Sequence, residues 1–171
     1  MKNVIKTTVL LLAITSLIAC KNDSKKDSNK SLSTDEIKTE AGLSFSKNTI
    51  GEQFQHYIHI KTALVNSDLD EVKSGAIMLT NVTENGSLKD VATSISTAQD
   101  IETARMLFAE VTEKMTVVVN KSISNGEVYQ QYCPMAFNNK GGYWLSTEKE
   151  IRNPYFGDRM LKCGSVTETI K

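Results

Sequence analysis

Between Thr49 and Asn120 apolar side chains return every three to four residues, and no other feature of this 171-residue chain restricts its fold as much. Ile101, Ala104, Leu107, Phe108, Val111, Met115 and Val118 make the clearest stripe, with Asp100 placed to cap its start. Such spacing gathers the apolar groups on one face of a helix, and that face needs a partner to cover it. Upstream, Phe54, Tyr57, Ile58, Lys61, Leu64 and Val65 predict a first helix that ends near Asn66-Ser67. Asp68 with Glu71 three residues on is a variant of the capping box, and it precedes Val72, Ala76, Leu79 and Val82. Asn85-Gly86 should stop that second helix, and Leu88, Val91, Ala92 and Ile95 mark a shorter third. Short connections favour antiparallel neighbours, so the expected fold is mainly α, an up-and-down four-helix bundle.

After Asn125-Gly126 the texture changes. Glu127–Cys133 and Tyr143–Ser146 read as two strands around the turn Asn138-Asn139-Lys140-Gly141-Gly142, a small C-terminal β-hairpin lobe. Helical turns are expected at Glu148–Arg152 and Asp158–Lys162, with Asn153-Pro154 between them and Gly157 available for positive φ. Bundle and lobe together occupy residues 49–171, long enough for one core but not two.

The opposite end carries an address. Lys2 and Lys6 precede an apolar run from Val9 to Ala19, interrupted only by Thr15 and Ser16, and the run closes on Leu17-Ile18-Ala19-Cys20. A basic region, a short apolar stretch and a small residue predict a signal peptide over residues 1–19. The stretch falls short of the roughly 20 apolar residues a membrane span requires. Its ending resembles the lipobox of bacterial lipoproteins, which implies lipidation at Cys20 and a lipid anchor in the membrane. Residues 20–48, dominated by Lys, Ser, Asp, Asn and Thr, read as a disordered tether. The expected location is the periplasm or cell envelope, where thiols can be oxidised. Twenty basic and twenty acidic side chains cancel, so nucleic acid is not an expected partner.

Chemistry-bearing residues concentrate in the last quarter. Cys133 and Met135 stand two apart, on one side of an extended segment; Met160 and Cys163 stand three apart, on one face of a helical turn. Two thiolates and two thioethers form a soft donor set that selects Cu(I), whereas zinc gains little from a thioether. Arg159 and Lys162, beside the second pair, are expected to lower the thiol pKa. The alternative is a Cys133–Cys163 disulfide, which would contribute about 3–4 kcal/mol by loop entropy, with thiol–disulfide exchange at the same pair ranking third.

Further features of the chain carry chemistry of their own. His56 and His59 are a possible accessory metal pair, although both project away from Phe54 and so read first as solvated. Lys61 lies inside an apolar stripe, either snorkelling or reaching a salt bridge in the lobe. Tyr143, Trp144, Tyr155 and Phe156 are the expected core of the lobe, or a shield for a bound ion. With no phosphate loop, no nucleophile elbow and no histidine beside either cysteine, no enzymatic activity is expected.

Tyr129–Ala136, Trp144-Leu145-Ser146 and Ile151–Gly157 through Met160, Leu161, Cys163 and Gly164 carry a resemblance to a bacterial family, domain of unknown function 3347. The resemblance is read over Gln53 to Val166, most specifically at the tail. It implies a small secreted protein or lipoprotein of the kind also appended to periplasmic adaptors of heavy-metal and copper efflux. Metal handling, with an efflux adaptor or metal carrier as partner, is what that relationship implies.

Overall fold

The computed structural model describes residues 42–171, apart from Asn85. The expected signal peptide, the lipidation expected at Cys20 and the expected tether up to residue 41 lie outside the described residues.

Four helices of ten residues or more form where the periodicity predicts them: α1 (Asn48–Val65), α2 (Leu69–Val82), α3 (Ser87–Ser96) and α4 (Ile101–Ser122). Their starts obey local chemistry. Asp68 Oδ1 accepts the Glu71 backbone N–H at 3.0 Å, and Asp100 accepts both the N–H and the hydroxyl of Thr103 at 2.8 Å. Each cap satisfies a donor that the first helical turn leaves orphaned, an effect of about 1 kcal/mol. Every helix packs on the next one, and α1 also packs on α4. The molecule is therefore mainly helical, with small sheets beside the helices.

One of those sheets draws on the segment read as tether. Leu43 is 1% exposed, and β1 (Ser44–Phe45) pairs antiparallel with β2 (Ile123–Asn125), the strand that continues from α4. The Phe45 ring lies 5.4 Å from Phe54. Residues 42–48 thus belong to the folded domain, a correction to the expected boundary. Two apolar residues among Ser and Lys are too few to show a period, yet their burial is enough to order the strand.

The second sheet has three strands in the order β4-β3-β5, all antiparallel. β3 (Val128–Cys133) and β4 (Gly142–Ser146) are the expected hairpin; β5 (Ser165–Ile170) is an addition. It escapes detection because Ser165 to Thr169 are all exposed and only Ile170 is buried, so an edge strand shows no alternation. The expected helical turn over residues 148–152 does not form. Instead the Gln131 side-chain amide, in the middle of β3, donates to the carbonyls of Glu148, Lys149 and Glu150 at 2.8, 3.3 and 3.3 Å, which takes the acceptors a turn would have used. The second expected turn is a short 3₁₀ helix, Gly157–Met160.

A run of ring contacts joins sheet to helices: Phe54 to Tyr57, Tyr57 to Phe108, Phe108 to Tyr155 and Tyr155 to Trp144, with centroids 4.9–6.3 Å apart. Helices and lobe therefore share one core. The Tyr57 hydroxyl hydrogen-bonds Thr112 of α4 at 2.9 Å and accepts the Leu145 N–H of β4 at 2.8 Å. That desolvated position holds its pKa far above the ordinary tyrosine value.

Replacing Leu43 by Ala should cost about 2–5 kcal/mol, the range for truncating a fully buried leucine. Urea unfolding checks this; an unchanged midpoint would mean that residue 43 belongs to a tether after all.

Candidate functional site

Cys133 ends β3 with its side chain fully buried, and Cys163 follows the 3₁₀ turn, half-buried, just ahead of β5. The fold brings these two residues, 30 positions apart, to a separation of 2.7 Å between sulfurs. A disulfide bond spans about 2.05 Å. Two thiolates sharing one ion through bonds of about 2.3 Å would stand about 3.8 Å apart at the tetrahedral angle. The observed spacing falls between the two, nearer the disulfide.

Backbone hydrogen bonds fix the Cys163 side of the pair. Asn153, fully buried, donates its amide to the Cys163 carbonyl at 2.8 Å while its Oδ1 accepts the Tyr155 N–H at 2.8 Å, and its own N–H bonds the Leu161 carbonyl at 2.9 Å. The Asn-Pro turn is thus the support of Cys163. Gly157 adopts φ +57°, as anticipated, and a Cβ there would meet the Val65 carbonyl at 2.8 Å. Beneath this turn the Arg105 guanidinium, 2% exposed, donates to the carbonyls of Pro154 and Leu64, to the Ser67 hydroxyl and to the Glu102 carboxylate. The sequence pattern gave no sign of that role, because an arginine within an amphipathic helix ordinarily reads as part of the wet face.

The electrostatics differ from expectation. Hydrogen bonding to Cys133, with burial and the charge of Cys133 adding to it, raises the Cys163 pKa above the ordinary thiol range; the Met135 backbone N–H opposes the rise. Arg159 and Lys162, expected to favour thiolate, are committed elsewhere. Arg159 binds the Glu102 carboxylate at 2.8 Å, and Lys162 pairs with Glu150.

The methionines take separate places. Met160 closes the 3₁₀ turn, half-buried, and its carbonyl accepts the Cys163 N–H at 3.0 Å. Met135 is 46% exposed and lines a groove of about 540 Å³ with Met106, Phe137, Tyr155, Phe156 and Arg159. The structure therefore joins the two cysteines, while Met135 faces the groove beside them. The wall of that groove is unusual: Phe137, Asn138 and Asn139 all have φ between 52° and 65°, a left-handed turn of three non-glycine residues. Each costs about 1–2 kcal/mol relative to ordinary backbone. A Cβ at Gly142, just past this turn, would come within 2.7 Å of the Tyr155 ring, so only glycine lets β4 approach so closely.

His56 and His59 are both half-buried on α1. His59 Nε2 lies 2.6 Å from Glu71 Oε1 of α2, while burial and the nearby His59 lower the His56 pKa, with Glu52 opposing. Among the described residues no three His, Cys, Asp or Glu side chains gather as a metal cluster. Lys61 does not snorkel. It is 6% exposed and donates to Ser146 of β4 at 3.5 Å, a contact with the lobe through a hydroxyl; burial lowers its pKa, and Glu148 opposes that shift. Trp144 and Tyr155 are core residues as expected, whereas Tyr143 is 48% exposed. No described helix is long and apolar enough to cross a membrane.

Residues 54–126 match the family model described as Protein of unknown function (DUF3347), the same family that the sequence resembles. The matched span runs from within α1 through β2 and is less than half the chain. It ends before β3, so the tail, where the resemblance reads as most specific, lies beyond it. No curated protein and no solved structure matches the chain.

Alkylation by iodoacetamide should follow the raised thiol pKa. In the reduced protein the pH midpoint for modifying Cys163 should lie above that of a free cysteine peptide, and Cys133→Ala should move it down. A midpoint at or below that of the peptide would contradict the hydrogen-bonded pair.

Proposed function

We propose that this chain is a cell-envelope binding protein for a soft metal ion, Cu(I), which it takes up at the reduced Cys133–Cys163 pair as a carrier or accessory to heavy-metal efflux. The observation that carries the reading is the meeting of two cysteines from distant segments, one sealed in the core and the other half-buried. Soft thiolates select Cu(I) over harder ions. For the ion to enter, the sulfurs part by about 1 Å and both thiols release their protons, so binding should strengthen as pH rises. Delivery is ligand exchange: an incoming soft donor replaces one thiolate, and no bond in the protein is broken.

The helical part serves as support, and the cyclic packing of its helices favours the up-and-down arrangement expected from their short connections. The lipid anchor at Cys20, the periplasmic location and an efflux adaptor as partner rest on the leader sequence and the family resemblance. Met135 and Met160, expected as thioether ligands of the same ion, and His56 with His59 as a possible accessory pair, belong to the same proposal. The role is binding rather than turnover.

One observation favours a second reading. At 2.7 Å the sulfurs stand closer than a shared ion permits, as they would in a disulfide-stabilised structural or interaction module of the envelope that holds no metal.

Anaerobic titration of the reduced full chain with Cu(I), against a competing chelator, separates the two. Against the chelator one tightly held ion per chain is expected at the cysteine pair, with its affinity falling at least a hundredfold in Cys133→Ser and in Cys163→Ser. A reduced chain that takes up no Cu(I), and that gains stability when the pair is oxidised, belongs to the second reading.

A further inference from the structure

Met106 is the most exposed of the large apolar residues on the described surface, at 55%, and Met135 is 46% exposed. The two are 29 positions apart, one on α4 and the other at the end of the β3 segment, yet they line the same groove. Methionine is ordinarily used to fill a core. Two of them left half in solvent at one spot, among the rings of Phe137, Tyr155 and Phe156, need a reason that packing does not supply.

We infer that Met106 and Met135 form a second soft-cation site, a thioether pair on the surface that takes Cu(I) or Ag(I) next to the cysteine pair. It rests on the soft-metal reading above for its cargo, but not for its geometry.

Three features carry the argument. The first is donor chemistry: a thioether is a neutral, polarisable ligand that stays available at any pH and prefers monovalent soft ions to zinc or calcium. The second is position. The Met135 backbone N–H hydrogen-bonds the Cys163 sulfur, so a residue that lines the groove also touches the cysteine pair. An ion held by Met135 sits on the residue whose backbone touches the Cys163 sulfur, and its passage onto the two thiols releases two protons to solvent without any change of oxidation state. The third is field. The groove is continuous with a larger one of about 840 Å³ that shares Met106, Phe137 and Lys140. Across both, Glu102, Glu110 and Glu113 face Lys140 and Arg159, and Arg159 is already tied to Glu102. A monovalent cation meets no net repulsion at this rim.

Rigidity follows from the left-handed turn at residues 137–139, which immediately follows Met135 and Ala136 and is closed by the Gly141 N–H to the Ala136 carbonyl at 2.9 Å. Strained backbone kept in an ordered structure commonly marks a binding surface. Here it sets the wall opposite Met106.

The test uses the full chain carrying Cys20→Ser, Cys133→Ser and Cys163→Ser, so that no thiol remains, with Ag(I) as a redox-inert probe. Calorimetry should give one Ag(I) per chain. Affinity should fall at least tenfold when Met106→Leu is added, and likewise with Met135→Leu. Met78→Leu, an exposed methionine on α2, should change nothing, and circular dichroism should show each variant folded. No uptake by the thiol-free chain, or equal affinity with Leu at position 106, overturns the thioether site. The cysteine reading fails by a different result: a reduced parent chain that holds no more metal than the thiol-free chain.

Discussion

A single buried guanidinium holds the two halves of this molecule in register. Arg105 leaves α4 and reaches the C-terminal end of α1 at Leu64 and Ser67, the Asn-Pro turn at Pro154, and Glu102 on its own helix. A charge taken out of water is tolerated only when it is well hydrogen-bonded, and here four acceptors take four of its five N–H groups. The arrangement explains why the turn sits where it does. Pro154 is clamped from below by Arg105, Asn153 is bonded on both sides, and the carbonyl of Cys163 is held by the Asn153 amide. The position of one sulfur is therefore set from the far end of α1 through three hydrogen-bonded steps. The other sulfur is set by β3, whose middle residue Gln131 gathers the loop at 148–150. Two independent supports thus converge on one point.

The helices could be read from the sequence because their signal is local and repeated. Asp68 and Asp100 announce helix starts, and the apolar returns from Ile101 to Val118 leave little choice about which face turns inward. The hairpin was legible for a related reason, with Gly141 and Gly142 between two β-rich runs. What escaped depends on contacts far apart in the chain. Leu43 is buried and Phe45 half-buried because β2 and Phe54 lie beside them, and β5 exists because β3 offers an open edge, not because its own exposed residues favour a strand. The loop at 148–152 looked helical until the Gln131 amide claimed its carbonyls.

The site was legible in part. That Cys133 and Cys163 belong together followed from their residue type and compartment, and the structure sets them side by side. Their charge environment did not follow. Arg159 and Lys162 are neighbours of Cys163 in sequence, but each turns to a carboxylate from another segment, and the thiol is left with a raised pKa. Sequence proximity overstated their influence because side chains several ångströms long choose partners by geometry. Met106 was unreadable for the complementary reason. It lies on α4 beside the apolar stripe and becomes notable only when Met135 is found across the groove.

The unequal burial of the two sulfurs gives the pair a direction. Cys133 is sealed under the sheet, so anything arriving from solvent, whether an oxidant, a small thiol or a metal-bearing donor, must meet Cys163 first. Exchange with an outside disulfide would begin at Cys163, releasing one small thiol, and be resolved by Cys133, which releases the second, never in the opposite order. The same asymmetry governs departure, since whatever is held between the sulfurs lets go of the buried one before the exposed one. The fold has made one cysteine the door and the other the wall behind it.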